Sequence, residues 1–264
     1  MTDTRSASGP TAAAFIARYR AARADPTLVV LEGFHALKHA LRFGADILEA
    51  VAVAPQEVLA LARDLAPDLL PVLPALLRPV EARLFAELAP DPPATGVLAL
   101  ARRPPPRWPD LAAAELPAVL LDRPAHAGNL GAVIRVAAAA GAPAVLVTGD
   151  WDPWHPRVVR TAAGLHFALP VLRLSAPLDP AVPVVAFDPA GEPFDPGSLP
   201  RASILAFGSE RRGLSVELRE RATLRLRLPM RPGVSSLNLA TAVAAVLYLA
   251  RAACPAQQVK ASSP

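Results

Sequence analysis

The chain has 264 residues, 53% of them hydrophobic and 19% charged, a composition that supports a sizeable core and excludes a chain disordered throughout. The formal charge of +4 is unevenly placed: residues 1–100 carry 9 basic and 11 acidic side chains, residues 101–264 carry 18 and 12, so attraction to phosphate belongs to the C-terminal part, where a solvated Arg-rich face is the plainer alternative. The single cysteine, Cys254, excludes an intramolecular disulfide and a cysteine-based zinc cluster and fits a reducing cytoplasm.

Met1–Pro10 reads as a polar tail without the apolar stretch of a secretory signal. A short helix is expected around Phe15–Ala24, with Arg18, Arg20 and Arg23 on its outer face. Strands at Thr27–Glu32, Ala50–Ala54, Leu70–Leu73 and Gly96–Ala101 alternate with helices at Phe34–Arg42, Gln56–Leu65 and Val80–Leu88. Together they make a small α/β domain, residues 1–101. Arg102–Pro109 contains three consecutive prolines, which remove backbone donors and favour an extended conformation, so residues 102–116 read as a stiff linker.

From residue 117 to 254 the alternation becomes more regular. Strands are expected at Ala118–Asp122, Ala144–Thr148, Val182–Phe187, Ser203–Gly208 and Leu224–Leu228, and helices near Leu130–Ala140, Pro156–Leu165, Ser215–Ala222 and Leu237–Ala253; residues 255–264 form a tail. Apolar strands alternating with helices imply a mostly parallel sheet covered on both faces, with ligands at the strand C-terminal ends. The apolar run Leu237–Ala250 is shorter than the ~20 residues that span a bilayer, so no membrane segment is expected.

Three loops at such strand ends carry the chemistry. The first, from Asp122 to Arg135, passes Gly128 and Gly131 into a helix, with Asn129 placed as a cap; its Gly-x-x-Gly spacing fails the dinucleotide fingerprint, and a capped helix with an exposed arginine is the plainer reading. The second, Ala206–Ser215, has Gly208 and Gly213 on either side of Glu210. A tight turn explains the glycines but not a glutamate at a strand end. The third, Leu228–Ala240, brings Pro229, Met230, Ser235, Ser236 and Asn238 to the start of an apolar helix, where Ser235 or Ser236 would serve as N-cap. The histidines, His35, His39, His126, His155 and His166, show no zinc-ligand spacing beyond the His35–His39 pair, which lacks the adjacent glutamate of a metalloprotease helix; no metal is expected.

Taken in this order, the loops resemble the three motifs of the SpoU/TrmH family of the SPOUT RNA methyltransferases. Asn129, Gly131 and Arg135 match the first motif, Gly208, Glu210 and Gly213 the second, and Pro229, Met230, Ser236, Leu237 and Asn238 the third. Pro156–Gly164 is similar to the segment between the first two motifs, and Val30–Leu41 is similar to the family's ribosomal-protein-like substrate domain. Ser209 stands where many members have Asn, and Val136 where they have Thr or Ser.

The resemblance implies an S-adenosylmethionine-dependent 2′-O-methyltransferase of RNA, rRNA before tRNA, with a deep trefoil knot in its C-terminal domain and a homodimer with Leu237–Ala253 at or near the interface. It implies cofactor contacts from Gly208, Gly213, Leu228, Met230 and Leu237, and catalytic roles for Arg135, Asn129, Glu210, Ser236 and Asn238. A guanidinium, with a pKa above ~12, is a poor base, so Arg135 is expected to position phosphate and stabilise alkoxide charge, with Glu210 and Asn129 orienting it and the ribose. A base-methylating relative, a non-catalytic RNA-binding protein of the same fold and a small-molecule α/β enzyme are the rival readings.

Overall fold

A computed structural model of the chain describes residues 12–253. The polar tail 1–10, Cys254 and the tail 255–264 lie outside the described residues. The chain divides into two compact units between Pro104 and Pro105.

In the first unit, α1 (Ala12–Ala22), β1 (Leu28–Glu32), α2 (Phe34–Arg42), β2 (Ile47–Ala52), α3 (Pro55–Leu65), α4 (Leu73–Leu76), β3 (Leu77–Pro79), α5 (Ala82–Leu88) and β4 (Val97–Arg102) follow in order. The sheet order is β1-β4-β2-β3, antiparallel except for β2 with β3. Tyr19, Val30, Val51, Phe85, Leu98 and Leu100 belong to one buried cluster beneath it.

Two expectations fail in this unit. Leu70–Leu73 is not a strand: residues 70–72 form a turn between a 3-10 helix at Pro67–Leu69 and α4, and the strand lies at Leu77–Pro79. Pro74 stands in the first turn of α4, the part of a helix that tolerates a missing N–H. The outer-face expectation for the arginines fails only at Arg23, which follows α1 and is partly buried, whereas Arg18 and Arg20 are exposed. Arg18 pairs with Glu49 at 3.0 Å and Arg23 with Glu32 at 2.8 Å, so two buried carboxylates of the sheet hold the helix and its C-terminal end down.

The second unit contains β5 (Ala118–Asp122), α6 (Ala127–Ala140), β6 (Val145–Val147), α7 (Pro156–Thr161), β7 (Val171–Arg173), β8 (Val184–Pro193), β9 (Ile204–Gly208), α8 (Val216–Arg221), β10 (Leu224–Arg227) and α9 (Leu239–Ala253). The strands form one sheet in the order β10-β8-β9-β5-β6-β7, parallel throughout. Every residue of β5 and all but the last of β9 are buried, as strands covered on both faces must be. Leu111, from the stretch read as linker, joins the core cluster of this unit with Leu120, Leu146, Ala186 and Ile204. Arg103, at its other end, still donates its N–H to Thr27 in the first unit.

Three glycine contacts set the packing around the site. A Cβ on Gly131 would lie 2.6 Å from the Val158 carbonyl oxygen and 2.7 Å from Thr161 Cβ, so this residue lets α7 press against α6. A Cβ on Gly191 would lie 2.6 Å from the Arg225 carbonyl carbon, where the long β8 meets β10. A Cβ on Gly208 would lie 2.1 Å from the Gly213 carbonyl carbon. The last fixes the shape of the loop described next.

Candidate active site

The middle of β8 and the C-terminal ends of β9 and β10 border a cavity of about 530 Å³, within the ~300–1,000 Å³ usual for small-molecule sites. One wall is the loop after β9. Ser209 and Gly213 exchange backbone hydrogen bonds of 3.1 and 2.9 Å, which folds residues 209–213 into a tight turn with Gly213 at φ +64°. A second wall comes from β8, where Phe187 stacks on Phe207 with ring centroids 4.8 Å apart and Asp188 follows. The third is the segment leading into α9: Leu228, Met230, Ser235, Ser236, Leu237 and Asn238.

Beside the cavity a hydrogen-bond relay joins all three loops. Asn238 Oδ1 accepts the backbone N–H groups of Ala240 at 2.9 Å and Thr241 at 3.3 Å, capping α9. Its amide nitrogen is thereby turned to Asn129, to whose Oδ1 it donates at 3.0 Å. Asn129 must then present Nδ2 on its other side, where it donates to Glu210 Oε1. Glu210 Oε2 accepts the Ala125 N–H at 3.1 Å. Each amide orientation follows from its neighbour, and the sequence of donors ends on a group that only accepts, an ionised carboxylate. Desolvation pushes the Glu210 carboxyl upward, but hydrogen bonds from Asn129 and from backbone N–H groups outweigh it and hold the pKa below the usual carboxylate value.

Asp122 anchors the neighbouring strand end. It is 3% exposed, accepts the Ser215 N–H at 2.6 Å and the Thr148 hydroxyl at 2.8 Å, and lies 3.4 Å from Arg123 Nε. It thus ties β5 to the loop after β6 and to the start of α8, which Ser215 caps by accepting the Leu218 N–H.

Of the ten residues expected at the site, Gly208, Glu210, Gly213, Leu228, Met230, Ser236, Leu237 and Asn238 line the cavity. Asn129 reaches it through Glu210 and Asn238. Arg135 is exposed on α6, six residues beyond Asn129, and is absent from the lining. Among the described residues, Asn129 and Glu210 bond each other and not Arg135, so the expected orientation of that guanidinium by these two side chains is not found within one chain. Asn129 is not a helix cap either: α6 starts at Ala127 with His126 at the N-cap position. The cap expected from Ser235 or Ser236 is supplied by Asn238, because α9 starts at Leu239 rather than Leu237.

Phe187, Phe207 and Asp188 were not singled out from the sequence. Phe187 and Asp188 lie within β8 and Phe207 near the end of β9; the two strands are neighbours in the sheet and so reach the same opening. Among the described residues no group of three or more His, Cys, Asp or Glu is placed to hold a metal ion, and no helix is long and apolar enough to cross a membrane.

The sequence model of the SpoU rRNA methylase family matches residues 117–248, the whole span of the parallel sheet and its three loops. A 23S rRNA (uridine(2479)-2′-O)-methyltransferase of Streptomyces viridochromogenes is 35% identical over 145 residues, 49% of this chain and 50% of that one. RlmP of Bacillus subtilis, a 23S rRNA (guanosine(2553)-2′-O)-methyltransferase, is 34% identical over 138 residues, 49% and 56%. The chain therefore spans about half the length of these relatives. Among solved structures, the SpoU methyltransferase AviRb of S. viridochromogenes, in complex with its cofactor AdoMet, superposes with a TM-score of 0.71 at 25% identity over 90% of this chain and 97% of that one. An AdoMet-bound rRNA methyltransferase of Sinorhizobium meliloti gives 0.69 at 26% identity over 97% and 99%.

Proposed function

The chain belongs to the SpoU rRNA methylase family, and from that premise we propose that it transfers the methyl group of S-adenosylmethionine to a ribose 2′-hydroxyl of RNA, with rRNA as the substrate class. The observation that carries this reading is the Asn238–Asn129–Glu210 relay on the rim of the cavity, which engages one residue of each motif. The relatives named above act on 23S rRNA at the 2′-oxygen, and this supports rRNA over tRNA.

The cavity suits the cofactor. It offers aromatic and aliphatic surface from Phe187, Leu228 and Leu237, carboxylates at Asp188 and Glu210 for a sulfonium and an ammonium, and a guanidinium group at Arg227 for a carboxylate. Gly208, Gly213, Leu228, Met230 and Leu237 are assigned to holding it. When bound, S-adenosylmethionine supplies an electrophilic methyl group. The chain's own task is alignment of the attacking hydroxyl and stabilisation of the charge that grows on it. Glu210, held ionised and already accepting two N–H groups, fixes the rim; Asn129 and Asn238 hold the motif-one and motif-three segments against it. Ser236 and Asn238 are assigned to the target nucleotide or to fixing the loop that meets it. Arg135 is assigned to phosphate and the developing alkoxide.

The C-terminal segment is read as threaded through a loop into the trefoil knot of the family, a reading supported by the return of residues 228–238 to the cavity already bounded by 208–213. The first unit is assigned to RNA binding, on the likeness of its Leu31-Glu32-Gly33 segment and α2 to the family's substrate domain. A homodimer through α9 is supported by that helix's uneven burial: Val243, Val246, Leu247 and Ala250 are buried while Tyr248 and Leu249 are 49% and 47% exposed. In such a dimer one subunit can supply RNA-contacting residues to the other's site.

Transfer of radiolabelled methyl from S-adenosylmethionine to total rRNA and, separately, to total tRNA tests the assignment. Label in rRNA is expected. Label confined to tRNA would reassign the substrate, and no transfer to either pool by a chain that binds the cofactor would indicate a non-catalytic RNA binder.

A further inference from the structure

Behind the wall formed by residues 209–213 lies a second cleft, of about 370 Å³. Ser209 and Arg211 line both it and the cofactor cavity, so the two are separated by the thickness of one loop. Its other surfaces carry Arg123, Arg212 and Trp151, with Asp150 as its one carboxylate. Arg211 and Arg212 are exposed, and neither pairs with a carboxylate among the described residues.

The cleft is a shaped feature of the fold. Arg123 sits in the left-handed region at φ +51°, a conformation that costs free energy in a non-glycine residue and is kept where the surroundings enforce it. Its N–H donates to Thr148 Oγ1 at 3.1 Å. A Cβ on Gly149 would lie 3.0 Å from both Cα and Cγ of Arg123, so glycine there leaves room for the arginine stem. Trp151, half-buried, donates its indole N–H to the Ala125 carbonyl at 3.4 Å and meets the His155 ring edge-on at 5.7 Å. Ala125 is the residue whose N–H is held by Glu210, which places Trp151 one residue's backbone from the relay.

We propose that this cleft binds a nucleotide adjacent to the methylated one in single-stranded RNA, with Trp151 stacking on its base and Arg123, Arg211 and Arg212 taking the flanking phosphates. The inference rests on the assignment of the chain as an RNA methyltransferase. A cluster of guanidinium groups beside a half-buried aromatic ring is the chemistry by which single strands are held: phosphates by charge, bases by their π-faces. Duplex RNA keeps its bases stacked and offers none to Trp151.

The test uses the full chain, fluorescein-labelled decaadenylate as single-stranded probe and a ten-base-pair RNA duplex as control. Trp151→Ala should weaken decaadenylate binding roughly tenfold or more, the loss expected of one stacked base, and raise the KM for rRNA more than it lowers kcat. Trp151→Phe should restore most of the affinity. Arg212→Gln should weaken binding and reduce the slope of log affinity against log salt by about 0.7, as for one lost phosphate contact on a single strand. Cofactor affinity, read by calorimetry, should stay within twofold in all three, because neither Trp151 nor Arg212 lines the cofactor cavity; it also verifies that each variant is folded. Equal decaadenylate affinity and rRNA KM in wild type and Trp151→Ala, binding of the duplex as tight as that of the single strand, or no binding of decaadenylate by the wild type would each overturn the proposal. Wild-type protein that transfers no methyl to RNA would instead overturn the assignment beneath it.

Discussion

Asn238 does two things with one amide, capping α9 through Oδ1 and holding Asn129 through Nδ2, and a single substitution separates them. Asp is as good a cap as Asn, so Asn238→Asp should melt close to the wild type while slowing methyl transfer by roughly tenfold or more, the order of a lost positioning interaction; equal rates would show the relay to be idle. Glu210 has its folded-state pKa below the unfolded value of about 4.3. A carboxyl of that kind contributes stability that is fully present above the unfolded pKa and is lost as pH falls through the folded one. Urea titrations of wild type and Glu210→Gln should therefore differ by a constant amount above about pH 5 and converge as the pH falls past the unfolded pKa and through the lower folded one, and the transfer rate should show no Glu210 ionisation near neutrality. Asn129, Glu210 and Asn238 were legible in the sequence as motif positions. Their bonding to one another was not, because the partners stand 81 and 109 residues apart and no local pattern reports which amide faces which.

The periodic elements were the easiest to read. The strands at 118–122 and 204–208 and the helix ending at Ala140 stand within a residue or three of expectation, because long alternation and the Gly141 stop, at φ +83°, are local signals. β7 escaped notice: three residues are too few to show a period, and the strand exists because β6 is beside it to pair with. The apolar run near Leu70 was misassigned because short apolar segments punctuated by proline suit a strand and a helical first turn alike. Gly131 was carried over as a motif residue, yet its contacts are with α7, outside the cavity. Gly131→Ala should accordingly lower stability by roughly 1–3 kcal/mol through overpacking, seen as a lower urea midpoint, with cofactor affinity little changed; a loss of cofactor affinity with unaltered stability would assign the glycine to the site instead.

At the scale of the molecule, local patterns stop short of strand order. The sequence indicates parallel strands, but the order β10-β8-β9-β5-β6-β7 depends on which strand crosses which, and the threading assigned to the C-terminal segment has no local signature. Assembly is the next level. Leu249→Asp places a charge on the exposed apolar side of α9 and should convert a dimer into monomers in sedimentation analysis, whereas a wild-type chain that sediments as a monomer would remove α9 as an interface. Function is decided by where the methyl group goes. Digestion of rRNA labelled by this protein to single nucleosides should place the label in one 2′-O-methylnucleoside, and Arg135→Ala should abolish it; label on a base, or full transfer by the Arg135 variant, would contradict ribose methylation through these three loops.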